Sequence, residues 1–157
     1  MTVPEPAFDA LYRELILEHY RAPHGKEPLA RTDGKAEGMN PLCGDEVDVA
    51  VEIGDSGRIS GVLVDGRGCA ISVASGSILH DLVVGRTPAE ARRILEAVKA
   101  TLQGGSPPTD LDLGDFEALE GVRKFPVRVK CALLPWTTLG EALRDVESRN
   151  GRSGGTT

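Results

Sequence analysis

The sequence predicts a single α+β domain in which a small three-stranded antiparallel sheet packs with several helices. Three observations predict it. The 157 residues make one ordinary domain, large enough to bury roughly 68–70% of the surface its unfolded chain exposes. Strand-like alternation in "DEVDVAVEI" and "GRISGVLVDG" is joined by the turn signal "GDSG". Helical periodicities flank this hairpin without any internal repeat, which assigns sheet and helices to one α+β unit spanning 1–157.

Phe8, Leu11, Tyr12, Leu15 and His19 recur at helical spacing, and "RAPHGKEP" follows with Pro23 and Gly25 as stops, so residues 7–21 are expected to form an amphipathic helix. Its apolar stripe requires a surface to pack on. Val47, Val49, Val51 and Ile53 alternate with Glu46, Asp48, Ala50 and Glu52, the pattern of a hairpin strand with one buried face. A third short strand is expected around Gly68 to Ile71, before "SVASGSILHDLVVG" turns helical with Ile78, Leu79, Leu82 and Val83 inward and Gly85 as its stop. Thr87 as N-cap, Pro88 at N1 and Glu90 at N3 make a capping box for the next helix. Its Ile94, Leu95, Val98 and Leu102 face the core, and Gly104 and Gly105 end it.

From Gly104 to about Phe125 the composition shifts to Gly, Pro, Asp and Leu without a clear period, apart from one or two helical turns in "DFEALEGV". This stretch, about 104–125, reads as an insertion or an ordered surface loop. In "CALLPWTTLGEALRDVESRN", Trp136, Leu139, Leu143 and Val146 repeat at roughly helical intervals. Pro135 belongs in or near the first turn of that helix, because deeper inside it would clash with the preceding turn and lose a hydrogen bond. Cys131 is thereby placed close to a helix N-terminus. Residues 1–6 and 149–157 read as flexible ends.

Lys+Arg 18 against Asp+Glu 24 gives a formal net charge of -6, which offers no electrostatic footprint for nucleic acid. The N-terminal "MTVPEPAFDA" lacks the basic and apolar regions of a signal peptide, and no segment has the long uncharged apolar run of a membrane span. A soluble cytoplasmic protein, away from the membrane, is expected. The three cysteines, at 43, 69 and 131, cannot all pair and form no C-x-x-C, so they are expected to be thiols in a reducing compartment.

Each thiol sits where a rigid element gives way to a turn: Cys43 in "NPLCGDEV" before the first hairpin strand, Cys69 after "DGRG", and Cys131 at the start of the last helix. Singly, each fits a buried small hydrophobe. Together, with Asp45 two residues beyond Cys43, they point to a shared site. A Cys3Asp set suits tetrahedral zinc, and an iron–sulfur cluster is the other obvious tenant of three thiolates; spacing alone leaves both open. His19, His24 and His80 are capable of binding metal too, but His19 and His80 fall within expected helices and His24 in a loop after Pro23, so they are read as packing or surface residues. No P-loop or G-x-G-x-x-G fingerprint is present.

In this order and on this hairpin-and-helix background, "NPLCGDEV", "GRGCAISVAS" and "RVKCALLPW" resemble the three cysteine motifs of the IscU/NifU-like family of iron–sulfur cluster assembly, across about Leu11 to Val146. The details resemble its SufU-type branch. Lys130 stands where classical scaffolds carry a histidine before the third cysteine, and Cys69 is followed by Ala70 where they read G-C-G-S. The 104–125 stretch is extra length, and their chaperone-binding L-P-P-V-K survives only as "KFPVR". The resemblance implies an IscU/NifU-N-like fold and a zinc-dependent sulfurtransferase. Such a protein accepts sulfur from the persulfide of a SufS-type, pyridoxal-phosphate cysteine desulfurase and passes it to downstream cluster-assembly proteins.

The zinc ligands so implied are Cys43, Asp45, Cys69 and Cys131, with Cys43 as the persulfide acceptor. Arg128 and Lys130 match basic residues beside the third cysteine, which either steer anionic sulfur or stand as solvated charges. The alternative is a scaffold on which a [2Fe–2S] cluster is built and handed over by the same four ligands; a third reading is a zinc-stabilised adaptor that activates the desulfurase by contact. Cys43, in a loop flanked by Gly44 and a Pro-led turn, is expected to be the ligand that leaves the metal. Cys69 is tied to a strand-to-helix corner and Cys131 to a helix N-terminus, where the dipole favours a thiolate that stays put.

Overall fold

The alternation in "DEVDVAVEI" forms β2 (Asp45–Ile53), whose Val47, Val49 and Val51 are buried in the core. In the computed structural model, which describes residues 10–41, 44–106, 108 and 110–155, β2 is the middle of a three-stranded antiparallel sheet. It pairs with β3 (Ile59–Arg67) on one side and with β1 (Gly34–Asn40) on the other. The predicted sheet is present, but its third strand precedes the hairpin instead of following it. Residues 68–71 turn from β3 into α2 (Ala70–Val83), with Cys69 as the helix N-cap. The strand signal of β1 is faint because "GKAEGMN" has no β-branched residue and two glycines. Those glycines make room for α4 (Pro126–Gly155), which packs along β1. A Cβ on Gly34 would come within 2.8 Å of the Val146 nitrogen, and one on Gly38 would run into the Thr138 hydroxyl.

The first helix, α1 (Ala10–Arg21), ends at the predicted stop and buries Ile16 and His19 against α2; residues 7–9 of the predicted helix lie outside the described residues. Helix α2 is enclosed by α1, α4 and β3, and its run of Ser72, Ala74, Ser75, Gly76 and Ser77 is buried. Small side chains are required there: a Cβ on Gly76 would come within 2.8 Å of Val64 Cγ1. The next helix, α3 (Pro88–Leu102), carries the predicted capping box, with Glu90 N–H donating to Thr87 Oγ1 at 3.1 Å and Thr87 N–H to Glu90 Oε1 at 2.9 Å. Ile94, Leu95, Val98 and Leu102 face the core as expected. Among the described residues no helix is long and apolar enough to cross a membrane.

Two further segments depart from the sequence reading. Where a surface loop was one expectation, Gly114–Lys124 is a 3-10 helix, and Leu113, Phe116, Leu119 and Val122 are all buried. These apolar residues fall at every third position, the spacing that eclipses side chains on a helix of about three residues per turn. Phe116 meets Trp136 edge-on, with ring centroids 6.3 Å apart. The stretch is part of the core, and its period escapes a search for helical spacing of about 3.6.

Helix α4 likewise begins earlier than Pro135 suggests. Pro126 is its first residue, so Pro135 lies inside the helix and Cys131 in its second turn. A proline at the first helical position forfeits no bond, whereas Pro135 removes a donor from the ladder. Beside it, Ser75 Oγ donates to the Ala132 carbonyl at 2.6 Å and accepts from Trp136 Nε1 at 3.1 Å, bonding α2 to α4. Tertiary packing of this kind holds a helix through an internal proline. The helix then runs on through Gly155.

Gly34→Ala is expected to lower stability by about 1–3 kcal/mol through overpacking of α4 on β1. Urea unfolding followed by circular dichroism reads it; an unchanged midpoint would mean that α4 lifts freely from the strand.

Candidate metal centre

The turn from β1 into β2 sets the first ligand position. Asn40 and Asp45 are the last residue pair of the two strands, and the Gly44 N–H donates to the Asn40 carbonyl at 2.8 Å with Gly44 at φ +73. That left-handed conformation suits glycine. Asp45 follows directly and is completely buried. It is buried against the exit of β3, where Gly68 takes φ +143; a Cβ there would run into the Asp45 carboxylate and come within 2.9 Å of its Cα.

Cys69 follows Gly68 and meets the same carboxylate. Its N–H donates to Asp45 Oδ1 at 2.9 Å, and its thiol lies 3.7 Å from Asp45 Oδ2. As N-cap of α2, its Sγ accepts from the Ser72 N–H at 3.5 Å. The hydrogen bond with Cys131 brings the Cys69 thiol down to about 7, helped by the Ser72 and Ile71 N–H groups, while burial and the Asp45 charge oppose the shift. The helix-terminus effect predicted for Cys131 therefore belongs to Cys69. Cys131 is in the second turn of α4, fully buried, and it comes to the site because α4 packs on both the sheet and α2.

Of the four predicted ligands, Asp45, Cys69 and Cys131 are brought together, with one donor atom of each within 4.8 Å of the others. Cys43 lies outside the described residues. Cys69 and Cys131 are free of disulfides. Arg128 is half-buried and Lys130 exposed; Lys130 lines an open cleft of about 260 Å³ with Met39, Asn40, Leu133, Leu134 and Thr137. Ser72 is a neighbour that the motifs do not single out. Its hydroxyl is buried without a hydrogen-bond partner among the described residues, and the one signal for it in the sequence is its position three residues beyond Cys69.

The donor chemistry fits a cation. Burying a carboxylate costs free energy unless it is paired or coordinates a metal, and here its oxygens face a thiol held near neutrality and a backbone N–H. Thiolate sulfur with one carboxylate oxygen is a set that tetrahedral zinc accepts, and thiolates also hold iron–sulfur clusters.

Comparisons with known proteins place the chain in a family. A zinc-dependent sulfurtransferase SufU of Bacillus subtilis is 36% identical over 143 residues, covering 90% of this chain and 95% of the relative. An iron-sulfur cluster assembly scaffold protein IscU of Streptococcus pyogenes is 35% identical over 134 residues, covering 85% and 83%. The crystal structure of FiSufU from Fervidobacterium islandicum superposes with a TM-score of 0.78 at 28% identity, over 90% of this chain and 99% of that one. Residues 11–132 match the profile of the NifU-like N-terminal domain. With the three-stranded sheet, the helices around it and the convergent Asp45, Cys69 and Cys131 in place, the chain belongs to the NifU-like N-terminal domain family.

Proposed function

We propose that this protein serves iron–sulfur cluster assembly as a zinc-dependent sulfur carrier that takes sulfane sulfur from a cysteine desulfurase and delivers it to downstream cluster-assembly proteins in the cytoplasm. The observation that carries this reading is the convergence of a fully buried carboxylate, Asp45, with two thiols, one of them brought down to about 7. Similarity to a protein named a zinc-dependent sulfurtransferase supports the choice of metal and activity. Lys130 favours a carrier over a cluster scaffold, since an exposed ammonium offers no donor where scaffolds of the family carry a histidine.

The ligands would be Cys43, Asp45, Cys69 and Cys131. Cys43 is two residues from Asp45, so the chain keeps their Cα atoms within about 7 Å. Bound zinc would keep the thiols deprotonated at neutral pH. Asp45 and Cys69 are bonded to each other and Cys131 is held within α4, so these three stay in place. Cys43 falls in sequence between the last residue of β1 and the first of β2, with Gly44 beside it, and it is assigned as the acceptor.

The transfer is an exchange at sulfur. The Cys43 thiolate attacks the outer sulfur of the desulfurase persulfide; a bond forms between Cys43 Sγ and that sulfur, and the bond to the desulfurase cysteine breaks. The electron pair leaves with the desulfurase cysteine as its thiolate, and Cys43 now bears the persulfide. Delivery repeats the exchange with the next thiol. Met39 and Val127, exposed apolar side chains at the end of β1 and the start of α4, together with Lys130, supply contact surface for a partner beside the ligands.

Protein purified without added metal is expected to be colourless, to contain about one zinc per chain and to melt at a lower temperature after chelation, because a ligand of the native state adds stability. Elemental analysis with an absorption spectrum decides it: a brown protein with stoichiometric iron and sulfide would establish the scaffold reading instead. After incubation with a desulfurase and cysteine, mass spectrometry is expected to place the added sulfur on Cys43, and Cys43→Ser is expected to keep the fold and lose acceptance. Sulfur mapping mainly to Cys69 or Cys131, or undiminished acceptance by Cys43→Ser, would refute the assignment.

A further inference from the structure

A second group of side chains able to hold a metal ion meets at the opposite end of α2. His19 from α1, His24 from the loop after it and Asp81 near the end of α2 each offer a donor atom, and these atoms lie within 4.8 Å of one another. Asp81 is twelve residues beyond Cys69 on α2, about 18 Å of helix at about 1.5 Å per residue. The two groups therefore share no ligand and do not interfere.

The orientation of these side chains is set from behind. His19 is buried, with Nε2 at 2.9 Å from Asp115 Oδ2 and Nδ1 at 2.6 Å from Ser77 Oγ. With the Nε2–H donating to Asp115, the Nδ1 lone pair is directed to Ser77, whose Oγ also accepts from the His24 N–H at 2.9 Å. Nδ1 thus faces the loop that bears His24. An imidazole whose remote N–H is tied to a carboxylate is oriented and made more basic as a metal ligand. His24 Nδ1 lies 2.8 Å from both carboxylate oxygens of Asp81, and His80 Nδ1 is 3.1 Å from Asp81 Oδ1. His24 and Asp81 are 50% and 41% exposed, which leaves the group open to solvent. The C-terminal end of α2, where Asp81 lies, carries the negative end of the helix dipole and favours a cation.

We propose that His19, His24 and Asp81 form a second metal site, distinct from the thiol centre, that takes a divalent first-row transition ion such as zinc or ferrous iron. Two imidazoles and one carboxylate with the remaining positions open to water suit such ions, whereas the thiol-rich centre selects softer coordination. On binding, His19 Nδ1 exchanges the Ser77 hydroxyl for the ion, and His24 offers Nδ1 with its proton on Nε2. Asp115 and His80 keep their places as partners of His19 and Asp81.

Equilibrium dialysis of the purified protein against micromolar Zn²⁺, with metal and protein quantified, tests the site. The unaltered protein is expected to bind one equivalent more per chain than His24→Ala or Asp81→Asn; both substitutions are at exposed positions, and circular dichroism confirms their folding. All three proteins keep Asp45, Cys69 and Cys131, so the difference is independent of what the thiol centre holds. Equal stoichiometry in the unaltered protein and either variant would overturn the proposal and leave these residues as a hydrogen-bonded cluster only.

Discussion

The hydrogen bond from the Cys69 N–H to the buried Asp45 carboxylate joins the first residue of β2 to the N-cap of α2, and the candidate centre is organised around it. A buried carboxylate is tolerable only where its oxygens are bonded or coordinate a metal. The approach it requires is possible because Gly68 has no side chain to strike Asp45. Once β3 exits in this way, α2 starts beside the sheet's end, and α4, packed on both, brings Cys131 to the same point. The centre is thus a meeting of three elements around one backbone-to-carboxylate contact.

Helix α2 links that centre to the rest of the molecule. Its small buried residues let β3, α1 and α4 approach closely, and Ser75 bonds to both Ala132 and Trp136 beside the internal Pro135. The two ends of the helix have opposite electrostatic character. At its N-terminus, positive potential supports the Cys69 sulfur; near its C-terminus, negative potential supports a cation at the histidine cluster. One buried helix thereby separates a sulfur-rich group from a nitrogen-and-oxygen group and holds each in place.

Local pattern was sufficient for β2, β3, α3 and the inward faces of α2 and α4, because burial on one face leaves a period in the chain. The capping box at Thr87 was legible for a similar reason: its bonds span three residues. Asp45, Cys69 and Cys131 were also visible as candidate ligands, since they stand in recognisable motifs. Other features left weaker traces. Strand β1 is held by pairing with β2 and by the close approach of α4, neither of which writes a hydrophobic alternation into "GKAEGMN". The 3-10 helix has a clear period of three, but the core that rewards it lies elsewhere in the chain. Pro135 misled about where α4 starts because packing against α2 sustains a helix that local energetics would break.

Residue chemistry and periodicity, both local properties of the chain, named the fold class and the thiols as candidates. They could not assemble the sites. Asp45 and Cys69 are 24 residues apart, and His19 and Ser77 are 58 apart. Which of these side chains meet, which thiol caps a helix and which histidine is anchored by a carboxylate depend on how the helices cross the sheet. That crossing is set by long-range burial and by the places where glycine and serine let backbones come close, and a short stretch of sequence carries no record of its distant partners.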